Sequence, residues 1–463
     1  MKRNVDCLVL GAGPAGMAAA CAARACGLDV TVVDENATPG GQLFRNLANP
    51  DVSTPLDAAE AAAGRRLIDE FLESGAEWLP RTTVWGLEAE RPFRVYAHGA
   101  DTDAEPEILQ ASCVILAPGA MERPVPFPGW TLPGVMGAGA AEILLRSGGT
   151  LPEGPLVLAG NGPLLPLLAS HLAAMGRPVA AWLDTGLMQA RARALPHLPA
   201  ALLDLPYLRK GLRMGLGLMR SGIPLFRNAG RIKAEGSGEL EAVSFESGGT
   251  RRRLEARLLI CHEGIIPRWQ LASTLGVPQR WDTVGRCWTT EAAEDGATVR
   301  NGIYVAGDAT CVDGGEASIL KGELAGIAVA AALGIIDAGE ARFRGRKALA
   351  RLRRTVRARA WINRFFAPNP AIYQVPDETL VCRCECVTAG AIRAAVAQGF
   401  HEVNEIKRVT RCGMGQCQGR ICGPALTEIA AAAAHVAPQE AGRLTMRQPL
   451  RPVSLAEYCA PHR

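Results

Sequence analysis

Residues 5–35, VDCLVLGAGPAGMAAACAARACGLDVTVVDE, read in order as an apolar strand, a glycine turn, an Ala-rich helix and a second strand. That order is one dinucleotide-binding βαβ unit, and it commits the start of the chain to a parallel sheet. Gly11, Gly13 and Gly16 keep the GxGxxG spacing: one permits the tight turn, one lets backbone approach a pyrophosphate, and one lets the helix pack closely. The helix N-terminus then turns free N–H groups and a partial positive charge towards the phosphates. Asp34 closes the second strand, where a carboxylate accepts from the ribose hydroxyls of an adenosine.

A second unit of the same order begins near Leu156, in PLVLAGNGPLLPLLASHLAAMGRPVAAWLD. Gly160 and Gly162 keep the first two glycine places, but Leu165 stands in the third, which holds a ligand further from the helix. Asp184 suits NAD over NADP, because a carboxylate repels a 2′-phosphate. The alternatives are a fold that no longer handles a nicotinamide, or one that holds another adenine nucleotide such as ATP. Further on, NGIYVAGDAT (301–310) is an apolar strand ending in Gly307-Asp308, followed by the helix-like EASILKGELAGIAVAAALG. It reads as the chain's return to the first domain, with Asp308 placed to hold the ribityl chain of a flavin, which favours FAD over NAD there. CVILAPG (113–119) resembles the strand and turn that pass the FAD pyrophosphate in this superfamily, although Pro118 stands where threonine is commoner. The expected cofactor contacts are Gly11, Gly13, Pro14, Ala15, Gly16, Asp34, Glu35, Gly41, Gln42, Leu43, Arg45, Val84, Ala117, Gly119, Gly307, Asp308 and Ala317.

Cysteine usage then divides the chain. Of 14 cysteines, six crowd between Cys382 and Cys422, a metal pattern rather than a disulfide framework. Cys382 and Cys384 form CxC, and Cys417 and Cys422 form Cx4C: four soft thiolates that select an iron–sulfur cluster or zinc. A flavin in the same chain supplies electrons that zinc cannot use, which favours iron–sulfur. Cys386 and Cys412 are surplus, and pairings of Cys382 with Cys386 or Cys412 with Cys417 stay open. No redox CxxC follows GGQL, and Cys21 and Cys26 sit on the Ala-rich helix pointing to different faces, so disulfide reduction is excluded.

The expected fold class is α/β, a glutathione-reductase-like flavoprotein with two dinucleotide-binding domains and a small helical C-terminal iron–sulfur domain. The domains are 1–125 with 285–345 for FAD, 126–284 for the inserted NAD(P)-like fold, 346–375 as linker, 376–440 for the cluster and 441–463 as tail. Proline-rich segments at 123–133 and around Pro267 mark the crossings. The segment 196–226, rich in Leu, Met and Arg, is expected to be helical and to cover a neighbouring surface. A net charge of +4 excludes nucleic acid as the main partner. Apolar strand character from Val5 leaves no leader, and no apolar run reaches spanning length, so a cytoplasmic protein is expected, at most peripheral to the inner membrane through partners.

Taken together, GAGPAGMAAA, PGGQLFR, GNGPLL, GIYVAGDAT, CRCE and TRCGMGQCQGRIC resemble the alpha (A) subunits of the opine oxidase and D-hydroxyproline dehydrogenase group. The likeness extends to hydrogen cyanide synthase and dye-linked proline dehydrogenase subunits, and the cysteine region is similar to bacterioferritin-associated ferredoxin. The resemblance implies a 2Fe-2S cluster on Cys382, Cys384, Cys417 and Cys422, and FAD contacts at Gly11, Gly13, Gly16, Asp34, Gln42 and Asp308. It implies that a D-amino-acid-oxidase-like beta subunit oxidises the amine. The further partners it implies are FMN at a subunit interface and a small ferredoxin-like gamma subunit. This chain would then relay electrons to an acceptor. Two other readings remain: an autonomous NAD(P)H-dependent reductase, and a non-enzymatic module stabilising an assembly.

Overall fold

The computed structural model describes residues 2–49, 58–99 and 107–459. Its first sheet forms because the apolar stretches 7–10, 30–33 and 113–116, within the strands Lys2–Leu10, Val30–Val33 and Glu107–Leu116, cannot leave either face in water. In spatial order it runs Glu77–Leu79, Val30–Val33, Lys2–Leu10, Glu107–Leu116, Phe93–Gly99 and Thr82–Leu87. The short strand Ile303–Val305 comes back to lie parallel to Glu107–Leu116, nearly two hundred positions later in the chain. Helices Pro14–Ala25 and Gly315–Ala332 pack on one face, with Gly322 and Gly326 set against the backbone of Ala15 and Ala19.

The second sheet is parallel throughout, in the order Leu225–Arg227, Val179–Asp184, Leu156–Gly160, Leu258–His262, Val135–Gly137. One face is covered by the helices Ala138–Gly148 and Leu164–Ala174, the other by the antiparallel strands Gly230–Glu235, Ala242–Ser247 and Thr250–Glu255. Between the sheets the chain crosses twice, and the crossing strands Ala120–Glu122 and Ile265–Pro267 pair antiparallel. The hairpin Gln279–Asp282 and Cys287–Thr290 follows the second crossing. The fold is therefore α/β with two dinucleotide-type sheets.

The Arg-rich segment expected as the linker is helical. The helix Ala338–Phe365 starts eight residues before the expected linker, capped by Asp337, whose side chain accepts from Gly339 and Glu340 N–H. Gly345, Ala348, Leu352, Thr355 and Ala358 form its buried seam; the arginines from Arg342 to Arg357 face outward, while Arg359 lines the cleft described below. Its neighbours are Gly315–Ala332 and the helices Met188–Ala194 and Leu198–Ala201. Beyond it, Leu380–Cys382 pairs with Val387–Thr388, and the helices Ala389–Ala397, Val403–Thr410 and Gly423–Ala434 enclose a separate core around Val381, Ile392, Ile406 and Leu426. Leu444 and Met446 enter that same core. Gln448 then bridges both backbone groups of Leu87, accepting from its N–H at 2.6 Å and donating to its carbonyl at 2.8 Å. The chain end thus straps the cysteine module to the first sheet. Among the described residues no helix is long and apolar enough to cross a membrane.

Candidate functional site

A cleft of about 730 Å³ runs along the ends of the first sheet's parallel strands and on towards the second sheet. It is lined by Gly11, Gly13, Pro14, Ala15, Asp34, Glu35, Gly41, Gln42, Leu43, Val84, Ala117, Gly119 and Asp308, all expected from the sequence. Four expected residues do not line it. Gly16 supports the turn from below, where a Cβ would stand 1.7 Å from the Gly11 carbonyl oxygen. Gly307 lies against Ala15, and Ala317 is fully buried one residue before Ser318. Arg45 has its Nε buried without a partner among the described residues.

Two of the expected carboxylates, Asp34 and Asp308, are held largely by backbone N–H groups. Asp34 Oδ2 accepts from Ala12 N–H at 2.7 Å, and Oδ1 accepts from the Asn36 backbone and side chain at 2.7 and 2.6 Å. Asp308 Oδ1 accepts from Asp313 N–H, Gly314 N–H and Ser318 Oγ at 3.1, 3.3 and 3.1 Å, which fixes it at the start of the helix Gly315–Ala332. Burial pushes the Asp308 carboxyl up, against the pull of Lys321.

The cleft also holds charged groups that sequence reasoning missed. Arg146 donates to the carbonyls of Leu43 (2.6 Å) and Gln42 (3.3 Å) and to Glu142 (3.3 Å), so the GGQL turn is gripped from the helix Ala138–Gly148. Glu122 accepts from Ala138 and Gly139 N–H, each at 3.0 Å, and contacts His262 Nδ1 at 2.6 Å. Arg123 is buried and donates to the carbonyls of Glu263 (2.9 Å), Arg286 (2.8 Å) and Gly285, holding the hairpin turn in place. Glu263 is buried with Oε2 unpartnered among the described residues, and burial pushes its carboxyl up to about 8. None of these groups sits in a recognisable motif: Glu122–Arg123 and His262–Glu263 are adjacent pairs beside the two crossings, and Arg146 comes from the helix Ala138–Gly148.

At the second glycine turn the chain covers itself. Asn161 donates to the carbonyl of Ala367 at 3.0 Å, and Asn369 donates to that of Thr185 at 3.3 Å. Asp184, the residue that suits NAD over NADP, accepts from Arg191 at 2.7 Å, whose guanidinium lies over the Phe365 ring. Residues 365–369 therefore form a roof over the turn.

In the cysteine module, Cys382, Cys412 and Cys422 are buried with their sulfurs within 4.8 Å of one another. Cys384 faces Cys417, which hydrogen-bonds it through both backbone and side chain. The four expected ligands thus fall into two pairs, Cys382 with Cys422 and Cys384 with Cys417, and Cys412, surplus in the sequence, joins the buried pair. Cys386 is exposed in a left-handed conformation outside the group. The thiols of Cys412 and Cys422, then the N–H groups of Gly413 and Glu385, hold Cys382 far below the usual thiol range. A Cβ on Gly415 would stand 2.0 Å from Cys384 Cβ, so glycine is required for the loop to close over that sulfur. An all-thiol donor set with backbone N–H groups aimed at sulfur fits an iron–sulfur group.

Two family models match the chain: pyridine nucleotide-disulphide oxidoreductase over residues 5–332 and sarcosine oxidase A3 domain over 377–462. The opine oxidase A subunit of Agrobacterium tumefaciens (strain Ach5) is 39% identical, covering 99% of this chain and 92% of that protein. The hydrogen cyanide synthase subunit HcnB of Pseudomonas aeruginosa is 33% identical, covering 90% of this chain and 91% of that one. Among solved structures, L-proline dehydrogenase from P. horikoshii has the same fold, with TM-score 0.73 and 19% identity over 98% of this chain and 79% of that one.

Proposed function

This chain belongs to the pyridine nucleotide-disulphide oxidoreductase family, in the company of the opine oxidase A subunit, and from that premise we propose that it is the electron-transferring subunit of a heteromeric amine or amino-acid dehydrogenase. FAD is its cofactor in the long cleft, held by the Gly11–Gly16 turn, Asp34 and Asp308. The thiols of Cys382, Cys384, Cys417 and Cys422 hold a 2Fe-2S cluster. A flavin accepts electrons in pairs and a cluster passes them singly, which is the chemistry the two groups supply when bound. Substrate oxidation belongs to a D-amino-acid-oxidase-like beta subunit.

One observation carries this reading. A single hairpin separates the cleft from the thiol module: Asp282, Cys287 and Thr289 line the cleft, while Trp281, Cys287 and Trp288 share a small cavity with Gly419 and Gly423 of the module. Arg286 on that hairpin pairs with Glu428 on the helix beginning at Gly423, donating from Nε at 2.8 Å and again from Nη2. The module is thereby docked against the wall of the cleft. A reductase using NAD(P)H would need the second glycine turn open, and the roof of residues 365–369 speaks against it.

The test is anaerobic mixing of the flavin- and iron-loaded chain with NADH, and separately of its complex with the beta subunit with opine, proline-like and glycine substrates. Bleaching of this chain's flavin by substrate in the complex, and indifference to NADH, supports the relay. Rapid bleaching of the isolated chain by NADH would establish the autonomous reductase in its place.

A further inference from the structure

The last segment of the chain touches both candidate sites. As it leaves the cysteine module, Leu444 Cδ1 packs against both cysteine loops, where a Cβ on Gly413 would stand 2.9 Å from it and one on Gly419 2.2 Å. The loop between Cys417 and Cys422 then grips the segment by its backbone: Gln418 Nε2 donates to the Pro449 carbonyl, and Arg420 Nη1 to that of Leu450 at 2.9 Å. The same stretch meets the cleft. Gln448 bridges the backbone of Leu87 and donates to Thr274 Oγ1 at 3.2 Å, and Leu450 N–H donates to the Trp85 carbonyl at 3.3 Å. These bonds hold the strand Thr82–Leu87, which lends Thr82, Thr83 and Val84 to the cleft. Arg451 lines the cleft as well, paired with Glu35 next to Asp34.

The grip depends on the shape of the cysteine loop. Gln418 and Gly419 both hold left-handed backbone, at φ 49° and 80°. Glycine adopts that conformation freely, but glutamine does so only under restraint from its surroundings. A group bound by the Cys417 and Cys422 sulfurs supplies the restraint, because it fixes both ends of the loop at once. With the loop fixed, Gln418 and Arg420 stay aimed at residues 449 and 450, and Arg451 stays on the cleft wall. With the loop slack, that hold is lost.

We propose that residues 448–451 are a clasp on the flavin cleft, that Arg451 is a positioning residue for the cofactor, and that binding at the thiols tightens flavin binding through them. The coupling is reciprocal: the factor by which bound thiols raise flavin affinity is the factor by which bound flavin raises theirs. It rests on the flavin and iron–sulfur readings above.

The experiment uses the full chain, purified without oxygen, as wild type, Arg451→Ala, Arg451→Lys and Gln448→Ala. Each is loaded with iron and sulfide, and tested again after anaerobic chelation of the iron. FAD affinity of the deflavinated chain is measured by fluorescence quenching in both forms, with iron content and far-ultraviolet circular dichroism recorded alongside. Loaded wild type is expected to bind FAD about tenfold more tightly than the stripped chain, an ordinary size for coupling between two sites. Arg451→Ala and Gln448→Ala are expected to keep their iron yet bind FAD equally and more weakly in both forms, and Arg451→Lys to recover part of the difference. Equal FAD affinity in loaded and stripped wild type would overturn the coupling, and so would an iron dependence undiminished in both variants. Should the stripped chain unfold, the loaded forms still decide: FAD release from Arg451→Ala as slow as from wild type overturns the clasp. A wild-type chain that takes up no iron, or no FAD, overturns instead the reading beneath it.

Discussion

The carboxylate of Asp34 accepts the backbone N–H of Ala12 at 2.7 Å, tying the end of the second strand to the glycine turn. Cofactor recognition and turn geometry therefore share one side chain. Asp34→Ala removes this bond and those to Asn36, and a charge-assisted hydrogen bond contributes roughly 1.5–3 kcal/mol. Flavin titration of the deflavinated variant should show binding weakened by about tenfold or more.

Arg146 is the second clamp on the flavin side, reaching from the second domain to the Leu43 and Gln42 carbonyls. Arg146→Met leaves those carbonyls unmet and Glu142 with His171 as its remaining side-chain partner among the described residues, a loss of about 1–3 kcal/mol. Stopped-flow fluorescence should record faster flavin release, with Arg146→Lys between the variant and wild type.

Glu263 makes stability depend on pH. Its folded carboxyl is raised from 4.5 to about 8, chiefly by burial, so the folded state favours the proton. The linked stability is fully present below the unfolded value and is lost as pH rises through the folded one, that is, between about 4.5 and 8. Glu263→Gln should therefore melt higher than wild type at pH 8–9, by an amount of order a few kcal/mol, with the difference fading towards pH 5. Thermal melts across that range check it; a constant offset would mean that the proton is not involved.

Arg286 and Glu428 hold the thiol module against the hairpin, and Glu428 is buried. Arg286→Ala strands that carboxylate and should destabilise docking by roughly 3 kcal/mol. Limited proteolysis should then cut the chain near residue 375 faster, while iron and flavin contents stay at wild-type levels.

Much of the fold was readable because its signals are local. Glycine spacing and strand–helix alternation in 5–35 and 156–184 announced two dinucleotide-type units, and the apolar strand ending at Asp308 announced a carboxylate that does line the cleft. What sequence could not supply was contact between distant residues. Arg123, Arg146 and Glu263 have no local pattern, and nothing near Asp184 in the sequence shows Arg191 and Phe365 arriving over it. Cys412 counted as surplus, with a pairing to Cys417 left open, because spacing alone ranks CxC and Cx4C pairs, whereas the fold buries its sulfur within 4.8 Å of those of Cys382 and Cys422.

The central claim is that electrons pass between a flavin in the long cleft and iron held by the C-terminal thiols. Its most direct test is an anaerobic reductive titration of the loaded chain, following flavin absorbance and the paramagnetic resonance of reduced iron in the same sample. Both centres are expected to reduce in wild type, and Cys417→Ser is expected to keep its flavin but lose iron and its signal. Complete flavin reduction with no reduced-iron signal, or a chain that takes up zinc and no iron, would contradict it.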